Sequence, residues 1–166
     1  MAENGDAATY ALAFDEASYA VRRQEAALDD LRSRTGLLLA AASLVATFLG
    51  GTALTGRTVA WPAILAIADF VVVGILALLV LWPWGGWVFA FDPGILMADY
   101  IESDPPATLP EMHRDLALHR ANHIEGNQGK LDRLYWLYRG ATATLVVEVV
   151  LWLAEFAIAP SNKPGM

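Results

Sequence analysis

The chain has 166 residues, 56% of them hydrophobic and 17% charged, with a formal net charge of −7 and a mean hydropathy of +0.41, more apolar than a soluble globular average. No cysteine is present, which excludes disulfides, thiolate catalysis and cysteine–metal sites. The acidic charge is spread through the polar segments without a basic patch, so nucleic acid is not an expected partner.

Residues 7–35 read as one amphipathic helix. Tyr10, Phe14, Ala17, Val21, Gln24, Leu28 and Leu31 recur at alternating spacings of four and three, the seam of a heptad pattern. Arg22/Glu25 and Asp30/Arg34 supply charge pairs on its flanks. Only Gly36 stands between this helix and the first apolar stretch, so the two are expected to run on as one rod. The seam fits either the chain's own polar segment or the same helix of another copy.

Three apolar stretches of about 19 to 21 residues follow, each the length a helix needs to cross a hydrocarbon core of roughly 30 Å. Gly36–Leu54 has no charge, Trp61–Leu81 has only Asp69, and Ala141–Ala159 has Glu148 and Glu155. A spanning backbone must satisfy its own hydrogen bonds, which for these sequences means helices. The first stretch follows a charged helical segment and no Ala-x-Ala cleavage pattern, which argues against a signal peptide.

Between the second and third stretches, Pro83-Trp84-Gly85-Gly86 ends a helix sharply. Trp87–Ile101 is apolar but broken at Asp92-Pro93-Gly94, which fits an interfacial segment. Thr108, followed by Pro110 and Glu111, reads as a helix N-cap, and Gly126 and Gly129 are expected to interrupt that helix before Lys130. The expected fold class is therefore all-α: an integral membrane protein with three transmembrane helices. Its segments are an N-terminal cytoplasmic helix (1–35), a two-span hairpin (36–82), a cytoplasmic or interfacial helical segment (83–140), a third span (141–159) and an outer tail (160–166).

Orientation follows from the basic residues. Arg22, Arg23, Arg32, Arg34, Arg114, Arg120, Lys130, Arg133 and Arg139 fall on one side of the spans, and only Arg57 and Lys163 on the other. The positive-inside rule assigns the larger group, with the N-terminus, to the cytoplasm. Trp61, Trp82, Trp84, Trp87 and Trp136 stand at the expected interfaces. The expected location is a cell membrane, crossed three times.

The candidate functional residues are the intramembrane carboxylates Asp69, Glu148 and Glu155. An acid at membrane depth costs about 2.5–3.5 kcal/mol on insertion scales and normally faces the bundle or water. Glu148 and Glu155, seven apart, share a helix face, and no Lys, Arg or His lies in any span to neutralise them. They are expected either to hydrogen-bond to a neighbouring helix, with Ser43 and Thr47 as nearby hydroxyls, or to line a wet path. Ala42, Ala46 and Gly50, with Ser43, Thr47 and Gly51 beside them, form small-residue stripes that let helix backbones approach closely. His119 and His123 stand at the i,i+4 spacing of two metal ligands, but two fall short of the three or four that zinc requires. No phosphate loop or nucleophile elbow is present, so neither a cofactor nor enzymatic catalysis is expected.

Residues 16–54, including RSRTGLLLAAASLVATFLGG, and Gly129–Trp152, GKLDRLYWLYRGATATLVVEVVLW, carry a likeness. In layout the chain resembles small actinobacterial membrane proteins of the SLATT and Pycsar-transmembrane class. That resemblance implies an effector in a nucleotide-triggered defence system, one that oligomerises and permeabilises the inner membrane when a nucleotide second messenger is sensed. It carries over no ligand-binding residues. The functional expectation is a homo-oligomeric, signal-responsive pore in the lipid bilayer. The alternatives are a non-conducting scaffold subunit and a small ion or proton transporter using Asp69, Glu148 and Glu155.

Overall fold

A single helix, α1, runs from Ala2 to Val45 with no break at Gly36. The computed structural model describes residues 2–55 and 59–158; Arg57, Lys163 and the tail 160–166 lie outside the described residues. After α1 come a π-helical turn (Ala46–Gly50), the short α2 (Gly51–Leu54), α3 (Trp61–Leu81), α4 (Pro93–Leu96), a second π-helical turn (Met97–Ile101) and α5 (Leu109–Ile158). Among the described residues there is no strand, and three helices are long and apolar enough to cross a membrane. The fold is all-α, as composition and periodicity predict.

Local chemistry sets most boundaries. Pro62, in the first turn of α3, needs no acceptor for a missing N–H, and Pro83 follows just beyond its end. Asp92 caps α4, its Oδ1 accepting from the Gly94 N–H at 2.8 Å. Thr108 precedes α5, and its N–H and hydroxyl both donate to Glu111 Oε2, at 2.8 and 2.7 Å. Glu111 thereby makes the return half of a capping box, and those two bonds hold its carboxyl below the usual carboxylate range.

One expectation fails here. Gly126 and Gly129 do not interrupt α5, which is continuous for 50 residues. Each glycine costs a helix roughly 1 kcal/mol relative to alanine. Burial of Asn127 and Leu131 on the same stretch offsets that cost.

The chain divides into two units. The polar unit, Met1–Asp29 and Trp84–Asp132, contains the first part of α1 and of α5 with the connecting segment between. Its two helices run parallel: Phe14 stacks on His113, Arg120 bonds Ser18 Oγ, and Gln24 Nε2 donates to the Ile124 carbonyl at 2.9 Å. The connecting segment turns at Gly86, whose φ of +81° suits glycine, and Lys130 donates to the Gly86 carbonyl. Asn127, almost wholly buried, donates to the Val88 carbonyl at 2.9 Å.

The spanning unit, Asp30–Pro83 and Arg133–Met166, is a three-helix bundle of late α1, α3 and late α5. One apolar cluster joins Leu38, Ala42, Val73 and Ala141, and a second joins Ala53, Ala63, Ala66 and Trp152. Residues later in α3 therefore meet residues earlier in α1 and α5, so α3 runs antiparallel to both. The interior is small and the exterior large. Ala42, Ala63, Ala66, Ala77 and Ala141 are wholly buried, while Leu44, Ile64, Val71, Leu78, Val146 and Leu153 are exposed. A soluble bundle has no reason to place its bulkiest apolar side chains outward. A bundle solvated by lipid does, because close packing rather than water exclusion holds it together.

Candidate functional site

The three carboxylates expected at membrane depth all belong to the spanning unit, and the structure treats each differently. Glu155 of α5 is wholly buried. Its Oε1 accepts from the Ala60 N–H at 3.0 Å and its Oε2 from the Ala63 N–H at 3.2 Å. Ala60 is the N-cap residue of α3 and has no side chain able to cap it. A carboxylate from another helix thus takes the place of a local Ser, Thr or Asp, and its charge suits the positive end of the helix dipole.

Glu148, two turns earlier on α5, is also wholly buried. Its Oε1 lies 3.4 Å from the Trp152 indole N–H, a long bond, and its Oε2 has no partner. Asp69 of α3 is half-buried, and its Oδ2 has no partner either. Because Ala66 packs with Trp152 and Val73 with Ala141, the antiparallel α3 carries Asp69 at about the level of Glu148.

The hydroxyls of Ser43 and Thr47, expected as hydrogen-bonding neighbours, instead donate to carbonyls of their own helix, at Leu39 (2.9 Å) and Ser43 (2.7 Å). Both side chains lie on an exposed face.

The small stripe of span one points inward. Ala42 is wholly buried, Ala46 half-buried, and Gly50 buried within the π-helical turn. A Cβ at Gly50 would stand 3.0 Å from the Trp152 ring, so the close approach that glycine permits is made to span three of the same chain. Beside it lies an apolar cavity of about 270 Å³, lined by Ala46, Gly50, Gly51, Ile67, Phe70 and Trp152 among others. Ser43, Thr47 and Gly51 remain exposed.

In the polar unit His119 and His123 meet edge to face with ring centroids 4.6 Å apart, and Phe91 packs on His119 at 4.9 Å. Among the described residues no third His, Asp or Glu joins them to hold a metal. Burial, then His123 and Arg120, push the His119 imidazole below its ordinary value. Arg120 lies over the Phe14 ring at 4.5 Å.

Sequence reasoning missed Trp152 and the use of Glu155 as a cap. Asn127, Leu131, Leu134, Tyr138, Ala141, Leu145, Glu148, Trp152 and Glu155 follow one another at spacings of four and three. That run places both glutamates and the tryptophan on the buried seam of α5, and the expected break at the glycines hid it. The bare Ala60 before Trp61-Pro62 is the other signal: a helix start without a local cap needs an acceptor from elsewhere. No protein family, curated protein or solved structure matches the chain.

Proposed function

We propose that the chain is a non-catalytic, homo-oligomeric protein of the bacterial inner membrane, with its N-terminus in the cytoplasm, that permeabilises the bilayer when its polar unit receives a signal. A nucleotide second messenger is the signal implied by the resemblance. The observation carrying the assembly step is the division of labour on span one. Ala42 and Gly50 are consumed by packing within the chain, whereas Ser43, Thr47 and Gly51 leave a second small-residue face exposed. Their hydroxyls already bond their own helix, so that face can meet lipid or another helix without an unsatisfied donor. Three spans are too few to enclose a water-filled pore, so permeation requires several copies.

The test is the mass of the protein in mild detergent, followed by dye release from proteoliposomes. The wild type should run as an oligomer and release dye. Ser43→Leu with Gly51→Leu should shift it to monomer and abolish release while helicity is retained. A monomeric wild type at micromolar concentration would sink the pore. The apolar lining of the cavity favours one other reading, a non-conducting scaffold, which predicts an oligomer that releases no dye.

A further inference from the structure

The geometry points to a proton-binding site inside the spanning unit, formed by Asp69 of α3 and Glu148 of α5. On both helices the pair falls between the two apolar clusters: Asp69 lies between Ala66 and Val73, and Glu148 between Ala141 and Trp152. Each residue has a buried carboxyl oxygen with no partner, and Glu148 is wholly buried. Among the described residues, the donor reaching Glu148 is the Trp152 indole, at 3.4 Å.

The charged groups on the packed elements are few. Residues 36–54 of the first span carry none, α3 carries only Asp69, and α5 beyond Ala141 carries Glu148 and Glu155. Glu155 is occupied by the α3 amides. No Lys, Arg or His lies in the three spans to balance two carboxylates, and two bare anions at one level of an apolar interior are far costlier than one. A metal ion is a poor occupant, because hard cations take six or more oxygens and no third acidic or histidine side chain joins the pair among the described residues. A proton needs only one oxygen. Placed on either carboxyl, it leaves a single anion and turns an orphan acceptor into an O–H donor. On release it passes to water, and the site returns to two carboxylates. The site is independent of the oligomeric assembly proposed above, so a monomeric protein would leave it standing.

The experiment uses the full chain in lipid nanodiscs at pH 7. Exposed carboxyls are ionised at that pH, so an infrared carbonyl band from a protonated carboxylic acid reports a buried one. The wild type and Glu155→Gln should both show the band, and the double variant Asp69→Asn with Glu148→Gln should lose it. The wild type alone supplies a second readout. Dicyclohexylcarbodiimide adds to protonated carboxyls in apolar surroundings: the acid proton moves to a carbodiimide nitrogen, the carboxyl oxygen bonds the central carbon, and acyl transfer gives a stable N-acylurea. Mass spectrometry should place that adduct on Asp69 or Glu148. A wild type with neither band nor adduct would overturn the inference, as would a band that survives in the double variant.

Discussion

In the polar unit, α1 and α5 meet through side chains that carry their own specificity: Gln24 on the Ile124 carbonyl, Arg120 on Ser18 and on the Phe14 ring, and Phe14 on His113. In the spanning unit the same two helices, joined by α3, meet through alanines together with Leu38, Val73, Gly50 and Trp152. The seam keeps its alternating spacing from Val21 through Gln24, Leu28, Leu31, Thr35 and Leu38 to Ala42, all buried. One helical register therefore serves two environments. Where water competes for polar groups, directional contacts and aromatic area select the partner. Where the surroundings are as apolar as the side chains, burial alone gives little advantage and small residues gain contact by letting backbones close in.

The contrast breaks most visibly at Trp152. Trp152→Ala should destabilise the spanning unit by about 3–5 kcal/mol through the cavity it leaves. It also strips Glu148 of its indole donor. Unfolding followed in mixed detergent micelles would measure the loss, and an effect near zero would mean the tryptophan does not organise the bundle.

A smaller effect separates two adjacent glycines. Gly50→Ala forces a Cβ to 3.0 Å from the Trp152 ring and should cost about 1–3 kcal/mol. Gly51→Ala meets nothing within 4 Å and should stabilise the helix, by up to about 1 kcal/mol. Equal effects at the two sites, by the same unfolding measurement, would refute the packing described for span one.

The smallest effect belongs to the polar unit and depends on pH. The folded His119 holds its proton less tightly than the unfolded chain, so below about pH 6.5 the unfolded state binds more protons. The contribution of His119 is complete above that pH and is lost as pH falls through the depressed folded value. Hydrogen-exchange protection factors in residues 109–130, taken relative to the intrinsic rate at each pH, should fall between pH 7 and 5, and His119→Phe should flatten that response. An unchanged pH profile in the variant would assign the effect to another group.

Much of this architecture is legible in the sequence. Trp61–Leu81 could be bounded to the residue, because Pro62 and Pro83 punctuate an uninterrupted apolar run. The Thr108 and Glu111 cap could be read from their spacing, and the continuity of α1 from the lack of any breaker but Gly36 before the first apolar stretch. The carboxylates could be found but their roles could not. Whether an intramembrane acid is bonded or bare depends on which backbone amides another helix brings to it, and that information is tertiary. Likewise Ala42 and Ser43 are neighbours of similar size, and only the positions of spans two and three decide that one is buried and the other exposed. Gly126 and Gly129 misled because local propensity is a weak prior against burial on both sides of them.

The bond from Glu155 to Ala60 joins residues 95 positions apart, and a ribosome makes the acceptor long after the donor. α3 is thus synthesised with the Ala60 and Ala63 amides lacking their eventual acceptor. The second membrane helix must enter the bilayer with an incomplete start, and the last helix completes it on arrival. Biogenesis consequently has a built-in order: removing the third span would leave the hairpin before it intact in sequence but open at the first turn of α3.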